Sequence, residues 1–131
     1  MSKRAPSVDA WLAEAKADEN AASCGMYLVH NGTVRRTARA AVREGAEDAP
    51  PVTGMLFSYD PEKVARAVEE TRRMPGIGYV RVWLNEGELS LGDDIMLVLI
   101  GGDIRPRVVD ALQSLVGAIK SRCVTERELH G

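Results

Sequence analysis

The sequence predicts an α+β fold, and three observations carry that prediction. Ile95-Met96-Leu97-Val98-Leu99-Ile100 is a continuous apolar run of strand length, the pattern of a strand buried on both faces. Directly after it Val108, Val109, Leu112, Leu115, Val116 and Ile119 recur at helical spacing, so the strand feeds an amphipathic helix. The remaining segments complete the order helix, strand, strand, helix, strand, short strand, strand, helix. That order fits α+β, or a split βαβ arrangement, with a mixed sheet and helices packed on one of its faces.

Each element has its own justification. Ser7 to about Asp18 is the first helix; Ser7 or Asp9 caps it, and Val8, Trp11, Leu12 and Ala15 share a face. Asn20 to Ser23 is a polar break. Gly25 to His30 is a strand closed by the turn signal Asn31-Gly32. From Arg35 to Arg43 arginines dominate, Glu44 to Asp48 is acidic, and Pro50-Pro51 stiffens the exit; this swing predicts an exposed, mobile loop. Val52 to Tyr59 is the next strand. Asp60-Pro61-Glu62 opens a helix with a cap, a first-turn proline and an early acid. It runs to about Met74, burying Val64, Ala65, Val68 and Thr71, before Pro75-Gly76 ends it. Gly78 to Leu84 alternates as a strand, Asn85-Glu86-Gly87 turns it, and Glu88 to Leu91 is a short extended piece. Gly92-Asp93-Asp94 is a turn, the apolar run follows, and Gly101-Gly102 stops it. Asp103 then caps the last helix, whose first turn accepts Pro106 because proline lacks only a donor unpaired there. That helix runs out near Cys123, where charge gathers from Lys120 to Glu128.

Bulk properties narrow the class of function. At 131 residues the chain suits one domain, 1–131, with a single core. An apolar share of 45% and a charged share of 27% are those of a soluble globular protein. The net charge of −2 argues against the broad electrostatic attraction of a nucleic-acid binder. No apolar signal core follows Met1, and no stretch reaches membrane-spanning length, so the expected address is the cytoplasm, away from membranes. Cys24 and Cys123 are too few for a disulfide scaffold or a four-thiolate zinc site, and His30 and His130 have no companion ligands. No metal and no cofactor is expected.

The charged end of the last helix holds the candidate chemistry. Lys120 lies at the edge of the apolar stripe, where partial desolvation would suit an acid, base or nucleophile; a solvated helix-end lysine is the plainer alternative. Arg35, Arg36, Arg39 and Arg43 would share a face if their segment were helical, and guanidinium groups match phosphate and carboxylate. A solvated loop neutralised by the following acids is the competing reading. Arg105, at the helix start, would set a cation beside anion-favouring backbone donors, or would pair with Asp103. Asp93-Asp94 fits a turn better than a metal site, and Cys123 continues the apolar stripe, so it fits packing better than reactivity.

Together these segments resemble the large, catalytic subunit of molybdopterin synthase from Trp11 to Glu128. Cys24-Gly25-Met26-Tyr27-Leu28-Val29-His30-Asn31-Gly32-Thr33-Val34-Arg35 is similar to that family's first strand with its Gly-x-Val-Arg turn. Gly87-Glu88-Leu89-Ser90-Leu91-Gly92-Asp93-Asp94 is similar to its Gly-x-Leu-x-x-Gly-Asp signature, and the final helix reaches Lys120 as the family's does. Arg127 and Glu128 stand where the family has a second lysine and a nearby glutamate. The resemblance implies an α/β hammerhead-type fold and a homodimer, each large subunit receiving the Gly-Gly tail of a small ubiquitin-like sulfur carrier in a heterotetramer. It implies sulfur transfer from the carrier's thiocarboxylate to a cyclic pyranopterin monophosphate, forming the dithiolene of molybdopterin. Lys120 would then be the acid/base group, and Arg35, Arg105 and Arg127 would hold anionic groups.

The sequence departs from the family where His-Arg pairs are usual: Leu84-Asn85 replace one, and Ile104-Arg105 keep only the arginine of the other. Val124-Thr125-Glu126-Arg127 replace the Pro-x-Trp-Lys segment. Arginine keeps lysine's charge but does not release its proton near neutral pH. The first expectation is therefore a divergent sulfur-transferring large subunit. The alternative is a catalytically degenerate relative that still binds the carrier. A nucleic-acid module built on Arg35 to Arg43 stands third, against the acidic total.

Overall fold

The computed structural model describes residues 3–38, 45 and 50–130. The elements are α1 (Val8–Lys16), β1 (Met26–Thr33), β2 (Gly54–Tyr59), α2 (Pro61–Arg72), β3 (Ile77–Leu84), β4 (Gly87–Ser90), β5 (Asp94–Gly102), α3 (Arg105–Ala118) and β6 (Val124–Leu129). A short 3₁₀ turn, Ala21–Ser23, leads into β1, and a π-type turn, Ile119–Cys123, joins α3 to β6.

The α+β class holds, but the expected mixed sheet is a pair of three-stranded antiparallel sheets. One has the order β1-β5-β3 and the other β4-β2-β6. β5 is the central strand of the first, and its alternate residues point to opposite sides. Met96, Val98 and Ile100 join the main core with Val108, Ala111 and Leu115 of α3. Leu97 and Leu99 meet Trp11 and Ala15 of α1 on the other face. Helices therefore cover both faces rather than one, because a strand apolar on both sides needs cover on both. Arg81 on β3 ties α1 down further, stacked 4.5 Å from the Trp11 ring centroid and paired with Glu14.

Several boundaries moved, each for a local reason. Gly101 and Gly102 do not stop the run; they belong to β5. A Cβ at Gly101 would meet the Tyr27 ring, and one at Gly102 would meet Val108 and the Gly76 carbonyl, so these glycines permit close packing. Asn31-Gly32 is not a turn either. β1 continues through it, pairing Asn31 with Leu97 and Gly32 with Met96, and the Asn31 amide donates to the Asp94 carboxylate and the Met96 carbonyl. The ladder outweighs the turn preference. In α2 the buried positions are Ala67 and Thr71, with Val64 and Val68 half-buried and Ala65 exposed. Asp103 is not the helix cap. Ile104 holds that position, while the Asp103 carboxylate accepts from the Ile104 N–H and pairs with Arg107 at 2.8 Å rather than with Arg105.

The largest departure is at the end. Val124 to Leu129, for which the sequence predicts no element, forms strand β6, paired antiparallel with β2 from Tyr59↔Val124 to Gly54↔Leu129. Residues 39–44 and 46–49, including Arg39 and Arg43, lie outside the described residues.

Asn85 is 1% exposed and joins three segments. Its amide donates to the carbonyls of Lys3 and Asp94 at 3.1 and 2.8 Å, and its oxygen accepts from the N–H groups of Lys3 and Glu86 at 2.6 and 2.8 Å. Asn85→Ala strands these partners, so it is expected to cost about 2 kcal/mol in urea unfolding. An unchanged midpoint would mean that the Lys3 arm is not held by this side chain.

Candidate functional site

Two sequence signatures far apart in the chain are joined by backbone. The Val34 N–H donates to the Asp93 carbonyl at 3.0 Å, and the Gly92 N–H donates to the Val34 carbonyl at 2.8 Å. Gly92 has φ +85°, a left-handed conformation that glycine adopts without strain. Asp93 accepts from the Ser90 N–H at 2.8 Å and so fixes the turn. Val34 is buried as the anchor, which leaves the neighbouring Arg35 exposed, its Nε donating to the Thr37 carbonyl at 3.0 Å.

Lys120 is positioned by the π-type turn. Ile119 and Cys123 are buried at its two ends, and Lys120, Ser121 and Arg122 between them are exposed. A wider turn of this kind breaks the regular helical stagger and is often found at functional sites. It also redirects the chain into β6, whose Glu126, Arg127 and Glu128 border the same space as Lys120.

That space is a cavity of about 620 Å³ at the seam of the two sheets. The first sheet contributes His30, Gly32, Thr33, Ile95 and Met96, and the second contributes Met55, Glu126, Arg127 and Glu128. Arg35, Val52, Lys120 and His130 complete the wall. Three of the four sequence-derived candidates, Lys120, Arg35 and Arg127, thus border one cavity. Arg105 does not. It begins α3, and fifteen residues at 1.5 Å each put it about 22 Å along the helix axis from Lys120.

The two histidines and Glu126 were not anticipated as wall residues. The sequence offers His30 only as a lone metal ligand; it shares a strand face with Gly32 because β1 continues through Asn31-Gly32. It is half-buried, and burial, followed by the nearby Lys120 charge, holds its pKa below the ordinary histidine value. His130 Nδ1 donates to the Pro51 carbonyl at 3.1 Å. Glu126 and Glu128 recur at a period of two, a strand signal hidden by their charge.

Other candidates resolve differently. Burial raises the Cys123 thiol pKa, which suits packing and not nucleophilic attack. Cys123 borders a second cavity of about 430 Å³ with Lys63, Arg66, Glu70, Ser121 and Arg122, where Arg122 pairs with Glu70 at 4.0 Å. Asp93 and Asp94 serve the turn and the Asn31 amide. Leu84, in the place of a family histidine, is buried in the main core. Among the described residues no group of three or more His, Cys, Asp or Glu lies together as a metal site would require.

The family profile described as "MoaE protein" matches residues 2–122. No curated protein sequence matches the chain. Among solved structures, the chain is similar to a molybdopterin biosynthesis MoaE protein from Burkholderia ambifaria, with a TM-score of 0.71 and 18% identity over 98% of this chain and 83% of that one. It is similar to molybdopterin synthase from Staphylococcus aureus, with a TM-score of 0.66 and 17% identity over 83% of this chain and 77% of the other. A complex of subunits 1 and 2 of the molybdopterin-converting factor from Helicobacter pylori gives a TM-score of 0.67 and 15% identity, over 94% and 75% of the two chains. At such identities these likenesses establish a common fold.

Proposed function

This chain belongs to the MoaE protein family, and from that premise we propose that it is the large subunit of a molybdopterin synthase, acting in molybdenum cofactor biosynthesis. The partner is a small ubiquitin-like sulfur carrier, in keeping with the two-subunit complex of the Helicobacter pylori relative. The reaction is transfer of sulfur from the carrier's thiocarboxylate to a cyclic pyranopterin monophosphate.

The observation that carries this reading is the meeting of Lys120, Arg35 and Arg127 around one cavity of about 620 Å³. That volume lies within the range of small-molecule sites, roughly 300–1,000 Å³. A phosphate needs guanidinium or ammonium partners, and Arg35 and Arg127 are the guanidinium-bearing residues of this wall, brought there from two distant parts of the chain. Opening and thiolating the pterin needs proton transfer, which a lysine can perform and an arginine cannot. Lys120 is accordingly the acid/base residue, and Arg35 and Arg127 hold anionic groups. The working unit is a homodimer of this one-domain chain in the cytoplasm, joined by two carriers into a heterotetramer. Arg105, a helix length from Lys120, serves an anionic group only at the site of the second copy.

A second reading has its own support. Leu84 and Asn85 carry no imidazole where the family usually has one, and both are held in structural roles, Leu84 in the core and Asn85 on the Lys3 arm. The chain would then bind the carrier without turning over. One experiment separates the two: pure protein is incubated with thiocarboxylated carrier and the pterin precursor, and molybdopterin is quantified. Product formation is the expected result; tight carrier binding with no product would select the second reading.

A further inference from the structure

His30 stands apart from the groups assigned above because it is a titratable ring in the wall, and among the described residues no hydrogen bond holds either of its nitrogens. It projects from β1 on the same strand face as Gly32, which also borders the cavity. A Cβ at Gly32 would lie 3.8 Å from His30 Nε2 and 3.3 Å from Met96 Cγ. Glycine at that position leaves the Nε2 edge of the ring uncovered beside the cavity. Lys120 is close enough for its charge to act on the ring.

We propose that His30 is an anion-coupled proton acceptor, taking a proton from solvent when a phosphate group enters the cavity and donating it as a hydrogen bond to that group. The proposal rests on the reading of this cavity as the seat of an anionic substrate. In the empty protein, burial and the Lys120 ammonium both oppose the imidazolium form. An oxyanion held among Lys120, Arg35 and Arg127 screens that repulsion and offers an acceptor. The other titratable groups on the wall are Glu126 and Glu128 from β6, and His130, which is bound to the Pro51 carbonyl. In the free protein burial and Lys120 prevail, so the ring is neutral near pH 7 and there is a proton to be gained. The sign follows: binding takes up a proton, and anion affinity rises as pH falls through the upper His30 pKa, that of the bound state.

Sulfate is the suitable probe, because it remains a dianion from pH 5.5 to 8 while phosphate itself titrates. Saturating sulfate is expected to raise the His30 ring pKa, followed by NMR, by about one unit, equivalent to a gain in sulfate affinity at pH 5.5 over pH 8 of severalfold and at most about tenfold. His30→Gln, which keeps a hydrogen-bonding side chain but cannot titrate, should flatten that pH dependence while binding at pH 8 stays within about twofold. His130→Gln should retain it. A ring pKa unmoved by sulfate, a pH dependence that survives His30→Gln, or no sulfate binding at pH 5.5 would each overturn the proposal. Molybdopterin formation is read separately. A chain that makes product without coupled titration loses this inference alone, and one that couples protons to sulfate without making product loses only the sulfur-transfer reading.

Discussion

Lys120→Ala should lower molybdopterin formation by a hundredfold or more, within the roughly 10²–10⁴ range of positioned acid/base groups, while leaving the unfolding midpoint almost unchanged. The two halves of that expectation come from the same geometry. Lys120 is exposed, and its neighbours Ile119 and Cys123 carry the packing, so truncating the lysine removes no core contact. Exposed substitutions of this kind usually stay within about 0.5 kcal/mol. Lys120→Arg sharpens the test. It preserves a positive charge on the cavity wall and so should preserve carrier and substrate binding, but it cannot shuttle a proton near pH 7. A loss of turnover in both variants, with binding kept in the arginine variant, identifies proton transfer as the role. Wild-type turnover in Lys120→Arg would reduce Lys120 to a fixed charge. Wild-type turnover in Lys120→Ala would remove it from the chemistry altogether.

How much of this was legible in the sequence differs from element to element for physical reasons. The unit of β5 and α3 could be read because its signals are local: a run apolar at every position, then apolar residues at helical spacing. β6 could not, because Thr125-Glu126-Arg127-Glu128 is wholly polar and its strand state depends on β2, about seventy residues earlier in the chain. Asn31-Gly32 misled for the mirror reason, since a local turn preference gave way to pairing with a distant strand. In the site, Arg35, Lys120 and Arg127 are chemically suitable in isolation, but only the Val34 bonds to Gly92 and Asp93 and the pairing of β6 with β2 bring their elements to one seam. The separation of Arg105 was readable from helix rise alone. His30 was overlooked because a single histidine suggests nothing until a cavity and a neighbouring cation give it a role.

Ile119→Ala tests whether the core, and not the charged surface, is what holds Lys120 in place. Ile119 is 0% exposed and lies within the main core cluster, immediately before Lys120 in the π-type turn. Truncation removes three carbons from a site that the surrounding sheet and helix cannot fully refill. Such changes cost about 2–5 kcal/mol, and near the middle of that range a domain of this size should lose about 10 °C in melting temperature. Ile119→Val, which removes one methylene, should cost about 1 kcal/mol and keep the turn. Turnover is then measured at a temperature where all three proteins remain folded. If Ile119 seats the lysine, the alanine variant loses turnover per folded molecule while sulfate binding through Arg35 and Arg127 weakens less, because those arginines are anchored by other elements. A variant that loses stability but keeps full turnover per folded molecule would show that the π-type turn holds its shape without this side chain, and the backbone path from α3 into β6 would then be sufficient to aim Lys120.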